Sequence, residues 1–209
     1  MKITKFGHSS LLVEENGKRV IVDPGKFGPA MADLKNIDVV VVTHEHFDHL
    51  DPLLIKNILS NNSAVKVVAN AAVGALLAAE GIPFVKIEDK EAAEVNGVLI
   101  EGVGNEHIIF GEGRGKCQNT GYLFFDKLYY AGDSYAVPAK KVPVLALPVG
   151  GPWLTTEEAM RFLVKVGPQA CVPVHDGFDS QVVELARMIA DETIVKFVPL
   201  PIGVEIEID

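Results

Sequence analysis

Residues 39–50 run Val-Val-Val-Val-Thr-His-Glu-His-Phe-Asp-His-Leu, and the two halves of that stretch obey different chemistry. Four valines and a threonine are β-branched throughout, which favours a buried strand. Behind them three imidazoles and a carboxylate fall within six residues, as His44, His46, Asp48 and His49. Neutral imidazole and carboxylate are donors that Zn²⁺, Mn²⁺ and Fe²⁺ accept. The alternative is a solvated polar loop whose histidines bind nothing, but this spacing directly behind a strand argues against it. In an extended segment residues i and i+2 point the same way, so His44 and His46 are expected to grip one ion together. Asp48 and His49 follow where the chain must turn, and are expected to serve a second ion nearby.

Asp51-Pro52 marks that turn. Asp51 suits a helix N-cap and Pro52 a first helical position, with Leu53, Leu54, Ile55, Ile58 and Leu59 as the apolar face of a helix to about Ser60. Upstream, residues 2–6 and 10–15 read as strands, and Asn16-Gly17 turns the chain into Lys18 to Val22. Downstream, Val65 to Ala69 is a strand, Asn70 caps a helix closed by Gly81, and Ile82 to Ile87 is a strand. Hairpins follow around Asn96-Gly97 (92–95 with 98–103) and Asp126-Lys127 (121–125 with 128–131). Val142 to Val149 is a strand. Thr155-x-x-Glu158 is a capping box opening a helix to about Val166. Ala170 to Val174 is a strand, Asp179 or Ser180 caps a helix to about Ala190, and strands lie near 194–198 and 203–208. This order implies an α/β (α+β) protein: two mixed sheets packed together with helices outside, a four-layer αββα sandwich.

The 209 residues, 48% of them hydrophobic, suffice for one domain spanning 1–209, since no linker-like stretch divides them. A chain of this length buries roughly 70% of its unfolded surface. The longest apolar stretch, Ala71 to Ala79, is far below the ~20 residues that cross a bilayer. The N-terminus carries no signal-like hydrophobic segment, and two cysteines without metal-site spacing, Cys117 and Cys171, suit a reducing compartment. A cytoplasmic protein with no membrane association is expected. The net charge of −9 argues against nucleic-acid binding. A small, even anionic, substrate remains compatible, because cations in a pocket reverse the local field.

Three further donors each follow a strand directly or after a short loop: His107, Asp133 and His175. In layered α/β folds, sites collect at one end of the strands, so such placement lets distant segments converge. Each has an ordinary structural alternative: a packed histidine for His107, a turn residue for Asp133, a half-buried surface histidine for His175.

Taken in order, His44-x-His46-x-Asp48-His49, His107, Ala131-Gly132-Asp133-Ser134 and the strand-end His175 resemble the metallo-β-lactamase superfamily over nearly the whole chain. Phe6-Gly7-His8-Ser9-Ser10, Asp23-Pro24 and Leu147-Pro148-Val149-Gly150-Gly151 narrow the resemblance to a bacterial zinc-dependent hydrolase branch related to ascorbate-6-phosphate lactonase-like proteins. The resemblance implies the metallo-β-lactamase fold and two divalent ions, zinc first, with manganese or iron as alternatives. His44, His46 and His107 would hold one ion; Asp48, His49 and His175 the other; Asp133 would bridge them. Asp48 would also orient the nucleophile. His8 either contacts substrate or protonates the leaving group, or else is structural. Asp23 either orients a ligand histidine or is a turn residue before Pro24. Arg114 and Trp153 are candidate substrate contacts, with a solvated loop and core packing as their alternatives.

The implied activity is hydrolysis of a small ester, lactone or phosphodiester by a metal-activated hydroxide. An iron-dependent redox enzyme of the same fold and a non-catalytic metal-binding protein are the rivals. Intact His46 and His49, and the lack of any flavin or rubredoxin-like segment, favour hydrolysis. A true β-lactamase and an RNA-processing nuclease are both disfavoured.

Overall fold

The computed structural model describes residues 1–108, 117–151, 154–177 and 179–208 and, for Thr156, Ser180 and Ile189, the backbone alone. Among the described residues, fourteen strands and four α-helices follow in chain order. The first half carries β1 (Lys2–Lys5), β2 (Leu11–Glu15), β3 (Lys18–Val22), β4 (Val39–Val42), α1 (Pro52–Asn61), β5 (Lys66–Ala69), α2 (Ala71–Ala79) and β6 (Val85–Lys86). The second carries β7 (Ala92–Val95), β8 (Val98–Val103), β9 (Gly121–Phe124), β10 (Leu128–Tyr130), β11 (Val144–Pro148), α3 (Thr156–Val166), β12 (Ala170–Val174), α4 (Ser180–Asp191), β13 (Lys196–Phe197) and β14 (Glu205–Glu207).

The strands form two seven-stranded mixed sheets, ordered β14-β1-β2-β3-β4-β5-β6 and β13-β12-β11-β10-β9-β8-β7. The valine strand shows how the layers arise. Val39 and Val41 point into an inner core shared with Tyr122, Phe124, Tyr130 and Val172 of the second sheet. Val40 and Val42 point outward, against Leu54, Ile55 and Ile58 of α1 and Val73 and Leu77 of α2. On the far side, Leu145, Leu147 and Cys171 pack against Phe162, Leu163 and Val166 of α3 and Ala190 of α4. A strand buried on both faces has no need of alternation, hence the unbroken run of valines. Sheets faced by helices on both outer sides make the αββα sandwich read from the sequence. Among the described residues, no helix is long and apolar enough to cross a membrane.

The helix signals map onto real caps. The Asp51 side chain accepts from the Leu53 and Leu54 amides, Asn70 from Val73, and Thr155 and Glu158 close their box. For α4 the cap is Asp179, whose side chain accepts from Gln181 and whose carbonyl accepts from Val183.

Several expected strands are shorter, for local reasons. Ile82 is buried beside α2, its amide bonded to the Leu77 carbonyl, so the edge strand starts only at Val85. Phe125 and Asp126 both adopt a φ of 56°, so the third hairpin turns there, one residue before Asp126-Lys127. The valine strand stops at Val42, because the Thr43 amide donates to Asp23 Oδ1 instead of to the ladder. A 3₁₀ turn at Pro29–Asp33 has no counterpart in the sequence reading.

Strand direction positions the site. β1 and β3 each run antiparallel to β2, and β4 runs parallel to β3, so β1, β3 and β4 end on one side. By the same reasoning β8, β10, β11 and β12 run together in the second sheet.

Candidate metal centre

Every donor singled out in the sequence follows one of those co-directional strand ends. Sheet one delivers His8 after β1, Asp23 after β3 and the 44–49 cluster after β4. Sheet two delivers His107 after β8, Asp133 after β10 and His175 after β12. The structure brings them together. Donor atoms of His44, His46, His107 and Asp133 lie within 4.8 Å of one another, as do those of His49, Asp133 and His175, and those of His8, Asp48 and His175. The turn at 46–50, where the His49 and Leu50 amides both bond the His46 carbonyl, places the rings. His44 and His46 meet across this loop rather than along an extended strand, with His44 Nε2 and His46 Nδ1 3.1 Å apart.

Asp133, 1% exposed, lies at the middle. Its Oδ2 is 3.2 Å from His175 Nε2, 3.3 Å from His107 Nε2 and 3.7 Å from His44 Nε2; its Oδ1 is 3.4 Å from His49 Nε2. Neither oxygen accepts a hydrogen bond of good geometry from the described residues. A buried carboxylate in that state is expensive unless a cation compensates it.

The far sides of the rings decide which nitrogen faces inward. His49 Nδ1 donates to Asp23 Oδ2 at 2.6 Å, His175 Nδ1 to the Gly150 carbonyl at 2.6 Å, and His107 Nδ1 to the Ile108 carbonyl at 2.6 Å. The Thr43 hydroxyl donates to Asp23 Oδ2 at 2.7 Å, so its oxygen accepts from His44 Nδ1 at 3.0 Å. With these Nδ1 protons committed outward, neutral rings turn Nε2 lone pairs on the carboxylates of Asp133 and Asp48. Lone pairs gathered at such distances repel one another unless a proton or a metal ion stands between them. This outer arrangement is the one that orients metal-binding imidazoles, and the donor set fits divalent ions.

The backbone is bent to achieve it. Asp23 and His175 adopt φ values of 47° and 56°, uncommon for residues other than glycine. Gly132 has a φ of 62°, and a Cβ there would lie 2.4 Å from Asn119 Oδ1 and 2.8 Å from Thr43 Oγ1. That close approach lets the Asp133 amide donate to Asn119 Oδ1 at 2.9 Å.

The electrostatics reflect crowded, compensating charges. Burial pushes the Asp48 carboxyl up, but the imidazoles of His175 and His8 outweigh it and hold the group well below the carboxylate range. Asp133 is held low against its own burial by His49, His107 and His175. Burial lowers His175, yet Asp133 and Asp48 raise it to about 10. His49 is likewise raised by Asp133 and Asp23 against burial. His44 is pushed well down by burial and by His49, and His46 is lowered by burial and by His107. The raised His175 and His49 and the lowered Asp48 and Asp133 thus compensate one another.

His8 is buried with its Nδ1 accepting the Gly177 amide at 2.9 Å, which puts the neutral ring's proton on Nε2. That atom is 3.4 Å from Asp48 Oδ2, and the ring lies 4.0 Å from that of His175. Arg114 and Trp153 lie outside the described residues. Four contributors escaped sequence reasoning: Thr43, Asn119, Lys5 and Asp176. Lys5 Nζ, from sheet one, meets Asp176 Oδ2 at 2.5 Å and the Pro173 carbonyl at 3.3 Å, clamping the segment that carries His175. Thr43 was findable, as a hydroxyl beside the first donor. Lys5 carries no local signal, because its partners lie 168 and 171 residues away.

Comparison with known proteins agrees with this architecture. The β-lactamase superfamily domain family matches residues 2–175, and the chain belongs to that family. Protein Rv0786c of Mycobacterium tuberculosis is 31% identical over 180 residues, covering 84% of each chain. A UPF0173 metal-dependent hydrolase of Aeropyrum pernix is 27% identical over 205 residues, covering 84% of this chain and 82% of its own. Among solved structures, Igni18, a metallo hydrolase of Ignicoccus hospitalis, superposes with a TM-score of 0.78 at 22% identity. That match covers 100% of this chain and 99% of Igni18 and shows a shared fold.

Proposed function

We propose that this protein is a metal-dependent hydrolase that holds two divalent ions, zinc first among them, and cleaves a small ester, lactone or phosphodiester. The observation that carries the proposal is the buried Asp133 carboxylate, faced by four imidazole nitrogens from both sheets at 3.2–3.7 Å. The relatives named metal-dependent hydrolases support the reaction class. His44, His46 and His107 would hold one ion, Asp48, His49 and His175 the other, with Asp133 shared. Two such ions supply a polarised scissile bond and a water whose pKa falls to about 7.

The chain's own residues do the rest. Asp48, kept anionic by its neighbours, accepts a hydrogen bond from the attacking water and orients it. His8 presents Nε2–H beside Asp48 and donates a hydrogen bond to the leaving oxygen. Asp23 and Thr43 keep His49 and His44 in the tautomer that turns Nε2 inward. The net charge of −9 supports a small molecule rather than a nucleic acid as substrate.

The test begins with elemental analysis of protein purified without added metal. Chromogenic esters, lactones and phosphodiesters are then screened with zinc, manganese or iron. The proposal expects about two ions per chain and metal-dependent turnover. It also expects His46→Ala to abolish turnover and lower metal content; wild-type activity and metal content in that variant would reject the scheme. Iron with oxygen consumption and no hydrolysis would move the protein to the redox reading.

A further inference from the structure

Phe47 stands between His46 and Asp48 on the donor loop, yet its side chain is 58% exposed. Phe27, 40% exposed, meets it edge-on, with ring centroids 5.8 Å apart and planes at 73°. Phe27 also meets the His8 ring edge-on at 5.8 Å, and His8 is the neighbour of Asp48. The two phenylalanines therefore make an apolar shelf along one border of the donor cluster, the His8 and Asp48 side. Neither ring belongs to any of the three cores.

The shelf is held in place by backbone. The Lys26 amide donates to the Phe47 carbonyl at 2.9 Å. Gly25 passes so near the other loop that a Cβ would lie 2.0 Å from the Asp48 carbonyl oxygen. The loops carrying the two rings are thus fastened to each other and to the donors. Two large apolar rings left facing solvent beside a buried polar cluster forgo about 25 cal/mol for each Å² uncovered. Because the shelf is continuous with the donor cluster through His8, a molecule at the donors that carries an apolar group on the His8 side would cover it.

We infer that Phe27 and Phe47 form the subsite for an apolar group, alkyl or aryl, carried next to the scissile bond on the leaving-group side. The inference rests on the hydrolase reading above and names the substrate class within it. That class is an ester, lactone or phosphodiester with a hydrophobic substituent, in place of a wholly polar sugar phosphate. The aromatic walls supply area with little loss of side-chain freedom, and His8 stands where the leaving oxygen departs.

Calorimetric titration of the zinc-loaded protein with acetate, butyrate and hexanoate tests this without requiring turnover. The carboxylate anchors at the donors and the chain extends along the shelf. Wild type should bind about fourfold more tightly for each methylene added. Phe27→Ala/Phe47→Ala should bind acetate like wild type and gain less than about twofold per methylene. Phe47→Leu should keep most of the gradient, showing that apolar area and not folding is at issue. Ile194→Ala should keep all of it, because that fully exposed residue precedes β13 at the opposite end of the strands. Equal affinity for all three acids in wild type, no binding of any of them, or a gradient surviving in the double variant would overturn the inference. If the gradient appears but no ester, lactone or phosphodiester is cleaved, the hydrolase reading fails and the subsite stands. If such substrates are cleaved with no gradient, the subsite alone fails.

Discussion

The loop behind β4 supplies His44, His46, Asp48 and His49 within six residues, whereas the second sheet supplies His107, Asp133 and His175 from three separate strand ends. One half of the donor cluster is therefore local. Its geometry follows from a short turn and from hydrogen bonds to Asp23 and Thr43. The other half exists only while the two sheets are docked. Its ties cross between sheets: the His175 amide to the His8 carbonyl at 2.9 Å, the Tyr130 hydroxyl to the Ser9 carbonyl at 2.8 Å, the Thr120 amide to the Thr43 carbonyl at 3.0 Å, and Lys5 to Asp176. A cluster divided in this way is complete only in the folded chain. Damage to the sheet-to-sheet ties should fall first on the second half.

The largest effect is expected at the residue that faces both halves. Asp133→Ala should remove several kcal/mol of transition-state stabilisation, on the order of a thousandfold or more in kcat, and should lower metal content. Steady-state kinetics with elemental analysis checks both, and a variant with wild-type turnover would erase the distinction between a shared and a local donor.

Breaking a cross-sheet tie comes next. Lys5→Met leaves Asp176 without its buried cationic partner and should cost about 3 kcal/mol, seen as a lower melting temperature. Adding Asp176→Asn should recover part of that loss. An unchanged melting temperature in the single variant would mean that the clamp on the His175 segment is not needed.

On the local side, Asp23→Ala removes the partner of His49 and should weaken metal affinity about 10- to 100-fold, with kcat at saturating metal reduced less than by Asp133→Ala. A competition titration with a chromophoric chelator reads this. Equal affinity would show that the turn alone positions the ring.

A further effect is a pH dependence of the metal-free protein. His175 is raised from 6.5 to about 10 in the folded state, so the proton it holds stabilises the fold fully below about 6.5 and progressively less as pH rises through 10. The melting temperature of the chelator-treated protein should therefore fall between pH 7 and 10. The metal-loaded form, with His175 deprotonated by coordination, should lack that slope. Parallel melting curves for the two forms would separate His175 from the metal.

How much of this was legible in the sequence follows the same division. The local half was readable, because Asn-Gly turns, Asp51-Pro52, Asn70 and the Thr155 capping box act within a few residues, and the helices and hairpins followed from them. The valine run announced a strand buried on both faces. Strand-end placement of His107, Asp133 and His175 pointed to convergence, but the order of strands that achieves it depends on pairing over long separations, such as β1 with β14 through Lys2 and Glu207. Nor do residue types reveal the carbonyl of Gly150 behind His175, the Asn119 bridge beneath Asp133, or the positive φ at His175. The end of the valine strand was misjudged by one residue, because at Thr43 the Asp23 side chain replaces the ladder bond.

The central claim is that both sheets together hold a pair of ions around Asp133. Anomalous diffraction from crystals of the zinc-loaded protein tests it directly. Two peaks are expected about 3.5–4 Å apart on either side of the Asp133 carboxylate, one against His44, His46 and His107, the other against Asp48, His49 and His175. Ions bound elsewhere, or a fully loaded crystal with no peak in contact with Asp133, would contradict it.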